Sequence, residues 1–365
     1  MNILRENKMT AGLLGMVLAL ASNSALSAQQ RQIDSILGGL GTPTVLSTVP
    51  SNGDVNPYGV AFVPPSFPKG GLLHSGDILV SNYNNSQNLQ GTGTTIVQFH
   101  DGTQSVFFQG QSGLGLTTGL AVLKAGFVLV GNMPTTDGTS ATVQPGSLIA
   151  VNGAGQVFWT LANTRLVNGP WDFTVNDRGS SVQVFVSNVL EGTITRLDLT
   201  VSDNTIAVKQ GIVISSGYTH RPDPAALEVG PTGLAYDAVR DILYVAGSDE
   251  NAVYAIPNAG SIVADGGLGY RIYQDNLHLH GALAMILALN GHLICSNNDV
   301  VNVVPGQPSE LVEFTVDGQF VAEYSVDPNL GGSFGLNMAA IEGNWVLAAV
   351  DDNTSSLEVW TMPAQ

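Results

Sequence analysis

A short pattern recurs six times along this chain: a turn, a small residue, then an apolar run. It reads NPYGVAF (56–62), LTTGLAV (116–122), NGPWDFTV (168–175), VGPTGLAY (229–236), HGALAM (280–285) and GSFGLNM (332–338). Its small positions, Gly59, Gly119, Asp172, Gly233, Ala282 and Gly335, are 60, 53, 61, 49 and 53 residues apart. Self-similarity on that scale restricts the chain to a repeat architecture. Each copy continues alike. A near-continuous apolar run follows, such as DILVSN (77–82), QVFVSN (183–188) or WVLAAVDD (345–352), as expected of a strand buried on both faces. A third segment alternates apolar and polar, as in TITRLDL (193–199) and ELVEFTV (310–316), and five copies have a fourth, such as FVAEYSV (320–326). Four antiparallel strands per unit, repeated radially, predict an all-β fold, a six-bladed β-propeller.

The sixth copy has three strands before the sequence stops at Gln365. An unpaired strand edge invites aggregation. The segment PTVLSTV (43–49) precedes the first copy and has no blade of its own, so it is expected to complete the sixth and close the ring.

The run Pro-x-Gly-Leu-Ala-Tyr-Asp (231–237) with DILYVAGSDENAVYAI (241–256), and NPYGVAF with GDILVSNYNN (76–85), resemble NHL-repeat blades. The likeness spans about 42–362 at the level of the repeat; blades 2, 3 and 5 depart from it, and blade 5 lacks the Pro-x-Gly start. NHL-like propellers include lyases, lactonases and binding modules, so the resemblance implies a scaffold and leaves the activity to the site.

Residues 1–28 read as a secretory signal, with Arg5 and Lys8 ahead of a short apolar run (11–21) and small residues at 25–28. Residues 29–41 are then a lead-in and 42–365 the propeller, with an exported, periplasmic or extracellular location and no later membrane span. Cys295 is the only cysteine, so no internal disulfide can form. The net charge of −17 repels phosphate backbones and argues against nucleic acid as a partner. Only 11% of residues are charged while 43 are glycine, which favours tight turns over ion-paired helices.

In a propeller the loops leading into the first strands and those joining second to third strands share one face, here called the top. The long loops 82–93, 132–146, 297–309 and 217–232 fall there, so binding is expected on the top face. Asn56 and Trp171, at the starts of first strands, are ligand-binding candidates with Asn82 and Asn132. The second strands end in Asn82, Asn132, Asn188, Ser248, Asn297 and Asp351. Such a ring could supply oxygen ligands to calcium, with Asn82, Asn188, Asn297 and Asp351 as its candidate ligands. Alternatively, these side chains close turns by bonding local backbone. Gluconolactonase-like and paraoxonase-like propellers carry similar Asn/Asp clusters, but no glutamate at the start of a first blade matches theirs.

His220, Arg221 and Asp223 precede blade 4, and His278 and His280 precede blade 5. Adjacent loops could join them as acid–base groups, an anion clamp or a transition-metal site. Equally, THRPDP (219–224) could be a rigid proline turn and the histidines satisfied polar residues. His74, His100 and His292, on the opposite face or in outer and buried strands, are expected to carry no chemistry. Two functions follow: a binder of a small molecule, glycan or protein on the top face, or a metal-assisted lactonase, hydrolase or lyase.

Overall fold

In a computed structural model that describes residues 35–298 and 300–364, six four-stranded antiparallel sheets surround a central axis. The first, innermost strands are Val55–Phe62, Leu116–Leu123, Pro170–Asp177, Pro231–Asp237, Ala282–Leu287 and Ser333–Ile341. The second strands include Ile78–Asn84, Phe127–Asn132 and Leu293–Asn297, buried along their whole length, as their unbroken apolar runs require. Thr44–Ser47 pairs antiparallel with Ser356–Pro363, Thr44 opposite Val359 and Ser47 opposite Ser356. The N-terminal strand therefore completes blade 6, and the propeller is closed. The signal segment 1–28 lies outside the described residues.

Every first strand carries an irregularity at the same place. Pairing jumps from Pro57 to Val60, Leu116 to Leu120, Pro170 to Phe173, Pro231 to Leu234, Ala282 to Met285 and Ser333 to Leu336. This register corrects the alignment of blade 5: the residue equivalent to Gly59 and Gly335 is Ala284, not Ala282. The extra residues push the backbone toward the axis, where neighbouring first strands nearly touch. A Cβ on Gly335 would run into the carbonyl of Tyr58, and one on Gly233 into that of Leu283. Glycine or alanine stands there in five blades because a larger side chain would meet neighbouring atoms.

That closeness lets the blades hydrogen-bond one another around the ring. Ser81 donates to the Thr117 carbonyl (2.9 Å) and Thr117 to that of Pro170 (2.8 Å). Arg196 donates to the Ala259 carbonyl (2.9 Å), and Thr232 donates to the Ala282 carbonyl (2.9 Å). The Gly332 N–H donates to Ser309 (2.9 Å), and Asn337 returns to blade 1 at the Val60 carbonyl (3.0 Å). All six blade junctions are bridged.

Outside the ring, Ser35, Ile36 and Leu37 are buried against blades 5 and 6. Their anchor is Glu313, fully buried on a third strand. Its carboxylate accepts from the Ser35 hydroxyl (2.7 Å), the Ile36 and Leu37 N–H groups (3.1 and 2.9 Å) and Asn290 (2.9 Å), and it pairs with His292 Nδ1 (2.7 Å). So many donors offset the cost of burying this charge. Glu313→Gln keeps the shape but weakens these bonds, and should cost about 2 kcal/mol of unfolding free energy. Hydrogen exchange at 35–41 should rise with it; unchanged protection there would show that the lead-in is held by apolar contacts alone.

Candidate functional site

The residue just before each small axial residue forms a second layer, nearer the top: Tyr58, Thr118, Trp171, Thr232, Leu283 and Phe334. Tyr83 joins them from a second strand. Tyr58 stacks between Tyr83 and Phe334, with centroids 4.5 Å away on both sides, and lies 5.6 Å from Trp171. Each of the four rings is less than 10% exposed, so the top of the axis is closed by an aromatic plug.

A roof covers the plug. The stretch THRPDP is not a proline-stiffened coil but part of a short hairpin, Arg221–Asp223 paired with Leu227–Val229. The Asp223 carboxylate builds its turn by accepting the Ala225 and Ala226 N–H groups. Arg221 bonds Asp223 (2.7 Å) and Asp249 (2.9 Å), which ties the hairpin base to blade 4. Its tip reaches across the face: Gln90 of blade 1 donates to the Ala225 carbonyl (3.1 Å), and Ser140 of blade 2 donates to that of Leu227. Leu227 packs into the same apolar cluster as the plug, at a φ of 64°. A leucine in the left-handed region costs on the order of 1 kcal/mol, so the roof closes under some strain.

Polar atoms without a protein partner occur in the plug and on residues that adjoin it in sequence. Trp171 Nε1, Asn56 Oδ1, Asn82 Oδ1, Asn84 Oδ1 and Ser333 Oγ are all buried and unbonded within the described residues. Such atoms are uncommon in folded proteins, and each costs about 1–3 kcal/mol. Two carboxyls flank them. Burial, then Asp223, lifts Glu228 on the roof to about 7; burial, then Asp351, lifts Asp352 to about 7. Glu228 acts on Tyr83 and Asp352 on Tyr58, and both phenols are pushed upward, chiefly by burial. The Asn56 side chain, beside the Tyr58 hydroxyl, opposes part of that upward shift. Asn56 and Trp171 thus meet at the plug, whereas Asn132 does its work in its own blade.

The ring at the ends of the second strands is committed to local backbone. The carbonyl oxygens of Asn132, Asn188 and Asn297 accept from the N–H groups of Gly115 (2.8 Å), Asn168 (3.0 Å) and His280 (2.5 Å). These donors lie in the loops leading into the same blades. Asp351 accepts from the Asn353 N–H (3.0 Å) and the Thr354 hydroxyl (2.5 Å), and Ser248 donates to the Ala282 carbonyl (2.5 Å). Only Asn82 keeps its oxygen unpartnered, while its amide donates to Thr48 and Thr95. The arrangement is that of turn-closing side chains rather than ligands aimed at one calcium.

The histidines before blades 4 and 5 do not converge either. His220 is exposed and lies against Gly192 and Gly230. His278 turns outward, pairing with Glu323 (2.7 Å) and stacking on Phe320 at 3.7 Å. His280 is buried, with Nδ1 3.0 Å from the Asn302 carbonyl. The alternation that points both rings of HLH to one side fails because the segment 275–281 is a bend, not a strand.

Beneath the plug lies an axial cavity of about 300 Å³, lined by first-strand residues of all six blades. Asp172, treated above only as a small-residue position of the repeat, is the single carboxyl on its wall. Burial raises it to about 7, against the N–H bonds from Phe173 and Leu234.

No known family profile matches this sequence, and neither does any curated protein. Solved structures do match. A gluconolactonase from Xanthomonas campestris aligns at TM-score 0.53 and 14% identity, over 89% of this chain and 91% of that one. A Thermus thermophilus protein described as an oxidoreductase (glucose dehydrogenase) aligns at 0.52 and 13%, over 87% and 99%. A chain of the mitotic checkpoint complex aligns at 0.51 and 9%, over 88% and 96%. Proteins of such different kinds share with this chain its architecture and nothing finer.

Two outcomes follow from the plug and its roof. Trp171→Phe removes an unbonded indole N–H at the cost of some packing, so it should change stability by less than about 1 kcal/mol; Tyr58→Ala should cost about 3–5 kcal/mol. Denaturant melts of both variants check this. Glu228 has its carboxyl raised from an ordinary 4.5 to about 7 in the closed state. Its neutral form favours closure below the ordinary value, and that contribution fades between about pH 4.5 and 7 and is gone above. Intrinsic-rate-corrected hydrogen exchange at 221–229 should rise across that window and level off. Asp352 titrates in the same range, so Glu228→Gln should remove most but not all of the dependence.

Proposed function

We propose that this propeller is a ligand-binding protein whose site is the top of the axis, between the aromatic plug and the hairpin 221–229. One observation carries the reading: a buried, unpartnered indole N–H within the aromatic plug, and buried, unpartnered oxygens on residues adjoining it, under a roof that closes at a strained leucine. Such atoms are tolerated where a ligand satisfies them. Acceptors outnumber donors there, with the carbonyls of Asn56, Asn82 and Asn84 and the carboxyls of Glu228 and Asp352 against one indole N–H and the Ser333 hydroxyl. The ligand is therefore a small neutral or cationic molecule rich in hydroxyl or amine donors. Its apolar face would replace Leu227 against Tyr83 and Trp171. The acidic surface favours the same sign of partner.

A thermal-shift screen of neutral sugars, sugar lactones and polyamines tests this, with calorimetry on the hits. A hit should lose at least about tenfold in affinity in Trp171→Phe and Glu228→Gln, roughly 1.4 kcal/mol. Leu227→Ala should raise its association rate by loosening the roof. Hits indifferent to all three variants would place binding elsewhere. Turnover of a lactone on adding calcium would replace the binding reading by that of a metal-assisted lactonase.

A further inference from the structure

We propose a second site, a transition-metal site on the opposite, bottom face of blade 1, formed by His74, Asp77 and His100. One ligand atom from each of the three lies within 4.8 Å of the others, and no other group of histidines, cysteines and carboxylates among the described residues does so. The local fold explains the juxtaposition. The loop 64–76 joins the first and second strands of blade 1, and Asp77 immediately precedes the second strand. His100 ends the third strand, whose Phe99 pairs with Ile78, so it arrives opposite Asp77. His74 is placed by the turn in which the Asp77 N–H bonds its carbonyl (3.1 Å).

The carboxylate is fixed in the manner of a metal ligand. Asp77 is 2% exposed, and its Oδ2 accepts from the His74 N–H (2.6 Å) and Gln98 Nε2 (2.6 Å). Gln98 is itself held by the Leu72 carbonyl (3.0 Å). The supporting bonds thus load Oδ2, which His74 Nδ1 approaches at 3.6 Å, and leave Oδ1 to His100, an outer-shell arrangement that orients a ligand in advance. Oδ1 is 2.6 Å from His100 Nδ1, while the two ring centroids lie 4.4 Å apart with the planes tilted by 36°. Two adjacent imidazoles with one carboxylate between them make a poor apolar contact and a good donor set.

The donor set selects the metal. Two imidazole nitrogens and one carboxylate suit Zn²⁺, Co²⁺, Ni²⁺ or Cu²⁺, and not calcium or magnesium, which take oxygen shells. Binding would exchange the proton shared by His100 Nδ1 and Asp77 Oδ1 for the ion. Ligand atoms around zinc lie roughly 3.3 Å apart at bond lengths near 2.0–2.1 Å, so His100 must back away from its 2.6 Å contact with Asp77 and His74 must adjust to meet the ion. Its side chain is 60% exposed and free to do so, and that of His100 is 48% exposed. Three protein ligands leave a fourth position toward solvent for water or an incoming group.

The test is a Zn²⁺ titration of the tag-free protein against a chromophoric chelator at pH 7.5, with Co²⁺ absorption as a second readout. One zinc per chain is expected, with d–d bands of a low-coordinate cobalt site. His74→Ala and His100→Ala should each weaken binding by more than about tenfold, and the double variant should abolish the bands. Both positions are exposed, so the fold should survive, which circular dichroism checks. Zinc binding equal in wild type and double variant would overturn the assignment, as would cobalt bands that persist without both histidines.

Discussion

Everything in this molecule depends on how closely six backbones approach one axis. The first strands bulge inward at one position each, and Gly59, Gly119, Gly233, Ala284 and Gly335 leave room for them to meet. Close approach turns side-chain hydroxyls and amides of one blade into partners for the backbone of the next. A propeller has no single core; its apolar clusters lie between neighbouring blades. The ring of polar bridges makes those separate contacts cooperative. Asp172 is the exception in the series, since a carboxyl stands where the other blades have glycine or alanine. It is accommodated because its Oδ1 accepts the Phe173 N–H (2.7 Å).

The same geometry governs the top. Side chains just above the ring are forced together, so an aromatic in blades 1, 3 and 6 produces a stack rather than an open channel. Stacking satisfies the rings and not their polar edges. The indole N–H of Trp171 and the carbonyl of Asn56 remain unbonded because the axis has no backbone left to offer. Stability and binding compete at this spot: filling the plug with apolar residues would satisfy packing and remove the recognition elements. The strain at Leu227 and the raised carboxyl of Glu228 keep the roof's closure weaker than an apolar lid would be.

The architecture was legible because strands follow burial, and burial leaves a period. Even the missing strand of blade 6 could be assigned to 43–49, since an open edge must find a partner. The site was legible only in part. Asn56 and Trp171 lie where a first strand meets the top face, so their place follows from the repeat itself. His278 and His280 were misleading because spacing carries meaning only within a regular strand, and a bend turns one ring to Phe320 and buries the other. THRPDP hid a hairpin, since two three-residue strands leave no alternation to detect. His74, Asp77 and His100 were passed over for a related reason. What joins them is cross-strand register, which a sequence reveals only once its pairing is known.

With the register in hand, departures from the period become more informative than the period. The axial small residues of blades 4, 5 and 6 are 51 residues apart, whereas blades 1 and 3 take 60 and 61. A blade needs no more than the shorter length to make four strands and their turns. In blade 3 the surplus goes partly into long third and fourth strands, of 10 and 12 residues, and partly into the hairpin that crosses the top to meet blades 1 and 2. In blade 1 it becomes two loops, one bringing Gln90 to that hairpin and the other carrying His74 to Asp77. Extra loop length costs little in closure entropy, which is why it can accumulate at a few positions without disturbing the ring. Both places where this chain gathers unsatisfied or metal-ligating groups are places where it is longer than its fold requires.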